Sequence, residues 1–319
     1  MSSYTDDDLD SLSDIRHLVT AAAAVARLDE ALKRTKSAEP LYHAATLRRE
    51  AINIAALEGS LVRMESLCRL LGNKEATNLE MSVRLAADIH AALLLVAAWG
   101  DEAPSAEQIR TLFDVSDASK GRRLKQDLVW SLEEDCFWLH NELLAFMEKP
   151  NPWDAMENLR SLWTIGRFLG TAKRMALLVA GWMLARGFGC ALPTVGLAAY
   201  IIRDTDGFRD AAQSRITWVA KVGHALVELG ADGMKKIEDG AMSKTSMLAL
   251  CPPEKNSSSV ERAIEFMMTT PVFSAKAFAK SLDLTARGAK VVLDKLEEAD
   301  VVEVDGGLRN RNFVCRRAM

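Results

Sequence analysis

The sequence predicts a mainly α-helical protein that closes with a small β-hairpin. Three observations predict it. Apolar residues recur in steps of three and four through the first 240 residues, where Ala and Leu abound and β-branched runs are short. Adjacent prolines, Pro252-Pro253, and the serine run Ser257-Ser258-Ser259 then break that pattern. Beyond them stand short helical patterns and an Asp-Gly turn flanked by strand-like runs. The division expected is an all-helical domain over 1–240, a linker over 241–258 and a second domain over 259–319.

In chain order, Asp6, Asp7, Asp8, Asp10 and Asp14 make an acidic opening that is expected to fray. Helices follow over Leu12–Arg34, Leu47–Leu71 and Leu79–Trp99. Pro104 ends a segment. Ser105 with Gln108 forms a capping box for a helix through Phe113, because the serine accepts from an orphan N–H and the glutamine reaches back. From Leu124, one apolar stripe runs through Leu128, Leu132, Cys136, Leu139, Leu143 and Phe146, while Lys125, Glu133, Glu134 and Glu142 fall off it. Further helices are expected over Trp153–Phe168, Thr171–Arg186, Pro193–Arg203 and Phe208–Lys236. Met175–Ala185 is the longest apolar run; it is shorter than the roughly 20 residues a bilayer requires and reads as a buried core helix. No fixed-period repeat argues for a solenoid.

The last domain is the most informative. Val260–Thr269 reads as a helix stopped by Pro271, and Ser274 caps a short helix, Ala275–Ser281. Leu282-Asp283-Leu284 makes a turn, with Asp283 in the left-handed region that Asp tolerates better than most residues. Thr285 caps a third helix running to about Ala299. Ala279, Leu282, Leu284, Ala289, Val292, Leu293 and Leu296 match the buried positions of a helix-turn-helix. Val301–Val304 and Leu308–Val314 read as strands either side of Asp305-Gly306-Gly307, a strong hairpin signal. That order is a winged helix-turn-helix, with the hairpin as the wing.

Such a module places its third helix in the major groove, N-terminal residues at the base edges. The outward positions are Thr285, Ala286, Arg287, Lys290, Val291 and Asp294. Arg287 is the candidate base contact, since a guanidinium can donate twice to guanine. Lys290 suits phosphate, as do Lys276 and Lys280 on the preceding helix. Arg309 and Arg311 in the wing, with Arg316 and Arg317 in the tail, suit backbone or minor-groove contacts. The whole chain carries a net charge of −4, so attraction to nucleic acid must be local. From Ser274 onward there are nine Lys and Arg against seven Asp and Glu, a modest excess that Asp294, Glu297, Glu298, Glu303 and Asp305 dilute. The expectation is a sequence-specific transcriptional regulator that binds double-stranded DNA as a homodimer, because one copy would bind weakly. Winged helices also serve as protein-interaction modules, and that is the alternative.

Val272-Phe273-Ser274-Ala275 through Val302, with the Asp-Gly-Gly turn, resembles the helix-turn-helix that closes a family of bacterial, often plasmid-encoded proteins of unknown function. In that family an all-helical domain precedes the DNA-binding domain. Gly170-Thr171-Ala172-Lys173-Arg174, through Leu184-Ala185-Arg186-Gly187, resembles the second half of that helical domain. The resemblance implies transcription regulation or plasmid biology. Leu47-Arg48-Arg49-Glu50-Ala51 and Leu57-Glu58-Gly59 are similar, more distantly, to the N-terminal region of the Fic family of nucleotidyl transferases. There the Glu-Gly pair lies in a self-inhibitory helix. The His-Pro-Phe loop and the Gly-Asn-Gly-Arg phosphate cradle of that family are missing, and none of His17, His43, His90, His140 and His224 precedes a Gly-rich anion loop. A likeness to Fic proteins therefore implies a degenerate, non-catalytic member.

Other constellations point to packing. Cys136 and His140 lie four apart on one helical face, yet no further ligands are spaced to complete a metal site. Glu133-Glu134-Asp135 reads as a solvated face, since consecutive helical residues point in different directions. Gly187-Phe188-Gly189 reads as a helix terminator, not a dinucleotide loop. Cys68, Cys136, Cys190, Cys251 and Cys315 are scattered and odd in number, and the N-terminus is acidic where a signal peptide would be basic then apolar. A cytoplasmic protein with free thiols is expected, with no membrane segment, cofactor, metal or enzymatic activity.

Overall fold

Helices α1 (Leu12–Arg34) and α11 (Arg215–Leu250) form the longest seam of the molecule. Small residues let them approach: a Cβ on Gly230 would stand 3.0 Å from the Ala24 Cβ. The computed structural model describes residues 12–35, 39–72, 80–116, 126–164, 172–190, 196–251, 257–305 and 311–319. Asp6, Asp7, Asp8 and Asp10 of the acidic opening and residues 252–256 of the Pro/Ser segment lie outside them, while Asp14 is in α1.

Around that seam are α2 (Glu39–Leu57), α3 (Met64–Gly72), α4 (Met81–Ala97), α5 (Ala106–Ser116), α6 (Gln126–Glu148), α7 (Pro152–Thr164), α8 (Ala172–Phe188), α9 (Ala198–Arg203) and α10 (Thr205–Ala211). Helix α8 is buried all along Met175–Ala185, as its unbroken apolar run requires. Trp182 on α8 meets Trp99 and Phe146 edge-on, with ring centroids 5.8 and 6.3 Å apart. Trp218 of α11 is fully buried and donates its indole N–H to the Met156 carbonyl at 2.9 Å. Among the described residues no helix is long and apolar enough to cross a membrane.

The capping box is present: Ser105 N–H donates to the Gln108 side chain at 2.7 Å, and Gln108 N–H to Ser105 Oγ at 3.2 Å. The α6 stripe buries Cys136, Leu139, Leu143 and Phe146. His140 faces the Pro104 carbonyl, 3.0 Å from Nδ1. Helix α8 ends at Gly189, φ +63°, where Cys190 N–H donates to the Ala185 carbonyl at 2.9 Å. None of the five cysteines is in a disulfide.

Four expectations are corrected. Leu47–Leu71 is two helices, because Gly59, φ +81°, ends α2 with Ser60 N–H donating to the Ala55 carbonyl at 2.9 Å. Phe208–Lys236 is likewise divided, since Ser214 caps α11 by accepting from Thr217 N–H. Residues 241–250, expected in the linker, are the last turns of α11; the stop comes at Cys251, whose extended backbone is what a following proline demands. Asp135, expected on a solvated face, is buried.

The C-terminal part begins with α12 (Ser257–Thr269). Then come β1 (Val272–Ser274), α13 (Ala275–Ser281), α14 (Ala286–Glu298), β2 (Glu303–Asp305), β3 (Asn312–Val314) and a terminal 3-10 turn, Arg316–Ala318. The strands form an antiparallel sheet in the order β1-β3-β2, with Phe273 opposite Phe313 and Val304 opposite Phe313. Phe266, Phe273, Phe278 and Phe313 fill its core at centroid spacings of 5.2 to 5.8 Å. The turn between β2 and β3 lies outside the described residues. Met247 of α11 enters this core, 3.7 Å from the Cys315 sulfur.

Candidate nucleic-acid interface

The site rests on two caps and one left-handed turn. Ser274 Oγ accepts from Ala277 N–H at 3.2 Å and starts α13; Thr285 Oγ1 accepts from Gly288 N–H at 3.1 Å and starts α14. Between them Asp283 adopts φ +54°, and Leu284 N–H donates to the Ala279 carbonyl at 2.9 Å. Leu282, Ala289, Val292, Leu293 and Leu296 are buried, and Ala279 and Leu284 partly so.

Burying that stripe leaves the opposite face of α14 outward. Thr285, Arg287, Lys290 and Val291 are exposed there, and Asp294 is half-buried. Val291 keeps 49% of its surface exposed. The first turn of α14 holds no acidic residue. A guanidinium sits there instead, against the sense of the helix dipole. Lys276 and Lys280 are exposed one turn apart on α13. Among the described residues none of Lys276, Lys280, Arg287 and Lys290 has a carboxylate within ion-pair distance, and no part of the larger helical array covers them.

The remaining arginines are placed differently. Arg311 donates to both carboxylate oxygens of Glu297, at 2.8 and 3.1 Å, and lies over the Phe313 ring. Arg316 pairs with Glu303 at 2.7 Å and with Glu65 of α3 at 3.7 Å; these carboxylates raise its pKa, the Glu303 hydrogen bond first. Arg317 reaches Ser246 of α11 at 3.4 Å. The structure therefore brings Lys276, Lys280, Thr285, Arg287 and Lys290 onto adjoining helices, and turns Arg316 and Arg317 toward the helical array. Arg309 lies outside the described residues.

Long-range contacts that the sequence does not signal fix this module in place. Arg48 of α2, buried, donates to the Thr269 carbonyl and, at 3.4 Å, to that of Met268, at the negative end of α12. Its charge, after burial itself, helps hold the nearby His90 imidazole down to a pKa of about 4. Arg69 pairs with Asp305 of β2. A second buried polar group ties α8 to the end of α2: Arg174, fully enclosed, donates to both carboxylate oxygens of Glu58 and to the Ser116 carbonyl at 2.8 Å. The sequence marks both residues but not their pairing, 116 positions apart. Compared with known proteins, the chain matches no family model and no curated protein.

Proposed function

We propose that residues 257–319 are a winged helix-turn-helix that binds double-stranded DNA, and that the protein is a sequence-specific transcriptional regulator acting as a homodimer. The observation that carries this reading is the uncovered row Arg287, Lys290 and Val291 on α14, two cations without an ion-pair partner among the described residues beside an exposed apolar side chain. In the groove, Arg287 donates to guanine and Val291 offers an apolar contact to a thymine methyl. Lys290, Lys276 and Lys280 meet phosphates, and the N-terminus of α14 adds its own partial positive charge. Two copies read two half-sites. On this reading the protein is cytoplasmic and not an enzyme, and the helical array supplies dimerisation or sensing.

The test is a mobility-shift titration against a site selected from random oligonucleotides. Arg287→Ala with Lys290→Ala weakens binding by at least tenfold, since each lost contact of this kind is worth about 1–3 kcal/mol. Unchanged affinity sinks the groove assignment. A second reading, a non-catalytic Fic-like protein whose winged helix docks on another protein, is favoured by the internal pairing of Arg311 and Arg316 with glutamates. Salt separates the two: binding to phosphates falls steeply as salt rises, and docking on a protein through apolar surface does not.

A further inference from the structure

A cleft of about 500 Å³ opens between α2, α11, α12 and the terminal turn, a volume suited to a small-molecule ligand. Leu41, Ile237 and Met268 give it an apolar floor. Arg49, Lys236 and Lys244 are the cations that the helices bring to its wall, and Arg317 of the terminal turn adds a fourth, 3.4 Å from Ser246 Oγ. Lys244 is satisfied, with Glu261 at 3.0 Å and Glu265 at 2.7 Å. Arg49 and Lys236 are not: neither has a carboxylate within ion-pair distance among the described residues. The carboxylates nearest in effect to Lys236 are committed elsewhere. Asp232 accepts from the Tyr200 hydroxyl at 2.8 Å, and Glu50 accepts from Ala198 N–H at 2.8 Å. Asp239 also reaches the rim, exposed to solvent. Burial, and next the Arg49 charge, push the Lys236 ammonium below the usual lysine range. An anion seated beside the half-buried Lys236 ammonium and the exposed Arg49 guanidinium would supply the counter-charge that no described carboxylate gives them within ion-pair distance.

We propose that this cleft binds a small organic anion, a carboxylate or phosphate head on an apolar body, with the head between Arg49 and Lys236 and the body against Leu41, Ile237 and Met268. The site stands apart from α14 and does not depend on DNA binding. Its walls come from both parts of the molecule, since Arg49 and Lys236 belong to the helical array and Met268 to α12.

Isothermal titration calorimetry on the full chain tests it, with sodium octanoate, octyl phosphate and octanol as probes. One or both anions bind with a stoichiometry of one and octanol does not; which anion binds names the head group. Arg49→Met and Lys236→Met each weaken binding about tenfold or more, because a charge-assisted contact is lost. Lys235→Met, one position away on the exposed face of α11, leaves it unchanged. Circular dichroism checks that each variant folds, and Arg49, being exposed, carries the test alone if Lys236→Met does not. Failure of both anions to bind, equal binding of octanol, or full binding by the folded Arg49→Met variant overturns the proposal.

Discussion

Glu50 is wholly buried, and burial lifts its carboxyl from an ordinary glutamate's 4.5 to about 7, against the opposing pull of Ala198 N–H and Lys236. A carboxyl whose folded pKa is raised favours the fold in its protonated form. That contribution is complete below about pH 4.5 and is lost as pH rises through about 7. Glu50→Gln, which stays neutral, flattens the fall in melting temperature across this window; an unchanged pH profile of thermal unfolding would refute it. Glu58 has the opposite role, as counter-charge to the enclosed Arg174. Glu58→Gln removes a counter-charge from a buried guanidinium and costs about 3 kcal/mol in urea unfolding; a loss under about 1 kcal/mol is the contrary result. At this scale the local chemistry was legible. Ser105, Ser274, Thr285 and Asp283 act on backbone groups within five residues of themselves, so neighbouring sequence suffices to read them. Arg48 and Arg174 act on groups more than 50 residues away, and nothing beside them in the chain announces it.

Elements were legible where a period or a cap was strong and obscure where a break was short. α1 and α13 fall where their patterns put them. The gaps at 58–63 and 212–214 were not seen, because a few residues of mixed polarity barely interrupt a helical period. β1 was missed for a related reason: three residues are too few to display alternation, and it is a strand only because β3 lies beside it. Asp300, φ +59°, closes α14 as Asp283 closes α13, a second left-handed aspartate that the same argument could have found. The close docking of α3 on β1 is a testable element-level feature. A Cβ on Gly72 would fall 1.7 Å from the Val272 carbonyl oxygen, so neither backbone can accept it in place. Gly72→Ala therefore lowers stability by about 1–3 kcal/mol, read by thermal or urea unfolding; a wild-type unfolding curve would mean that α3 and β1 are not so close.

At the scale of the molecule, the sequence separates a helical array from a C-terminal module, and most core residues follow that division; Met247 of α11 and Leu41 of α2 join the smaller core, and Cys68 of α3 packs with Val272 and Val314. α11 gives Trp218 and Leu226 to the larger core and Met247 to the smaller. No local pattern reveals this. The linker cues, Pro252-Pro253 and the serines after them, lie beyond Leu250; Ala241, Met242, Lys244, Leu248 and Leu250 are good helix formers, and Met247 anchors the stretch to the smaller core. The exposed face of α14 was legible, because amphipathic periodicity alone assigns it. Which arginines stay free for a ligand was not, because Glu65 and Ser246, which engage Arg316 and Arg317, belong to distant helices.

The 36 residues of α11 make a rod about 54 Å long at the usual rise per residue. One end belongs to each core, and no described turn interrupts it. Heat that loosens either end unwinds a shared beam, so the two halves melt as a cooperative unit. Scanning calorimetry should give one endotherm, with calorimetric and van't Hoff enthalpies in agreement; two resolved endotherms would mean that the beam yields in the middle.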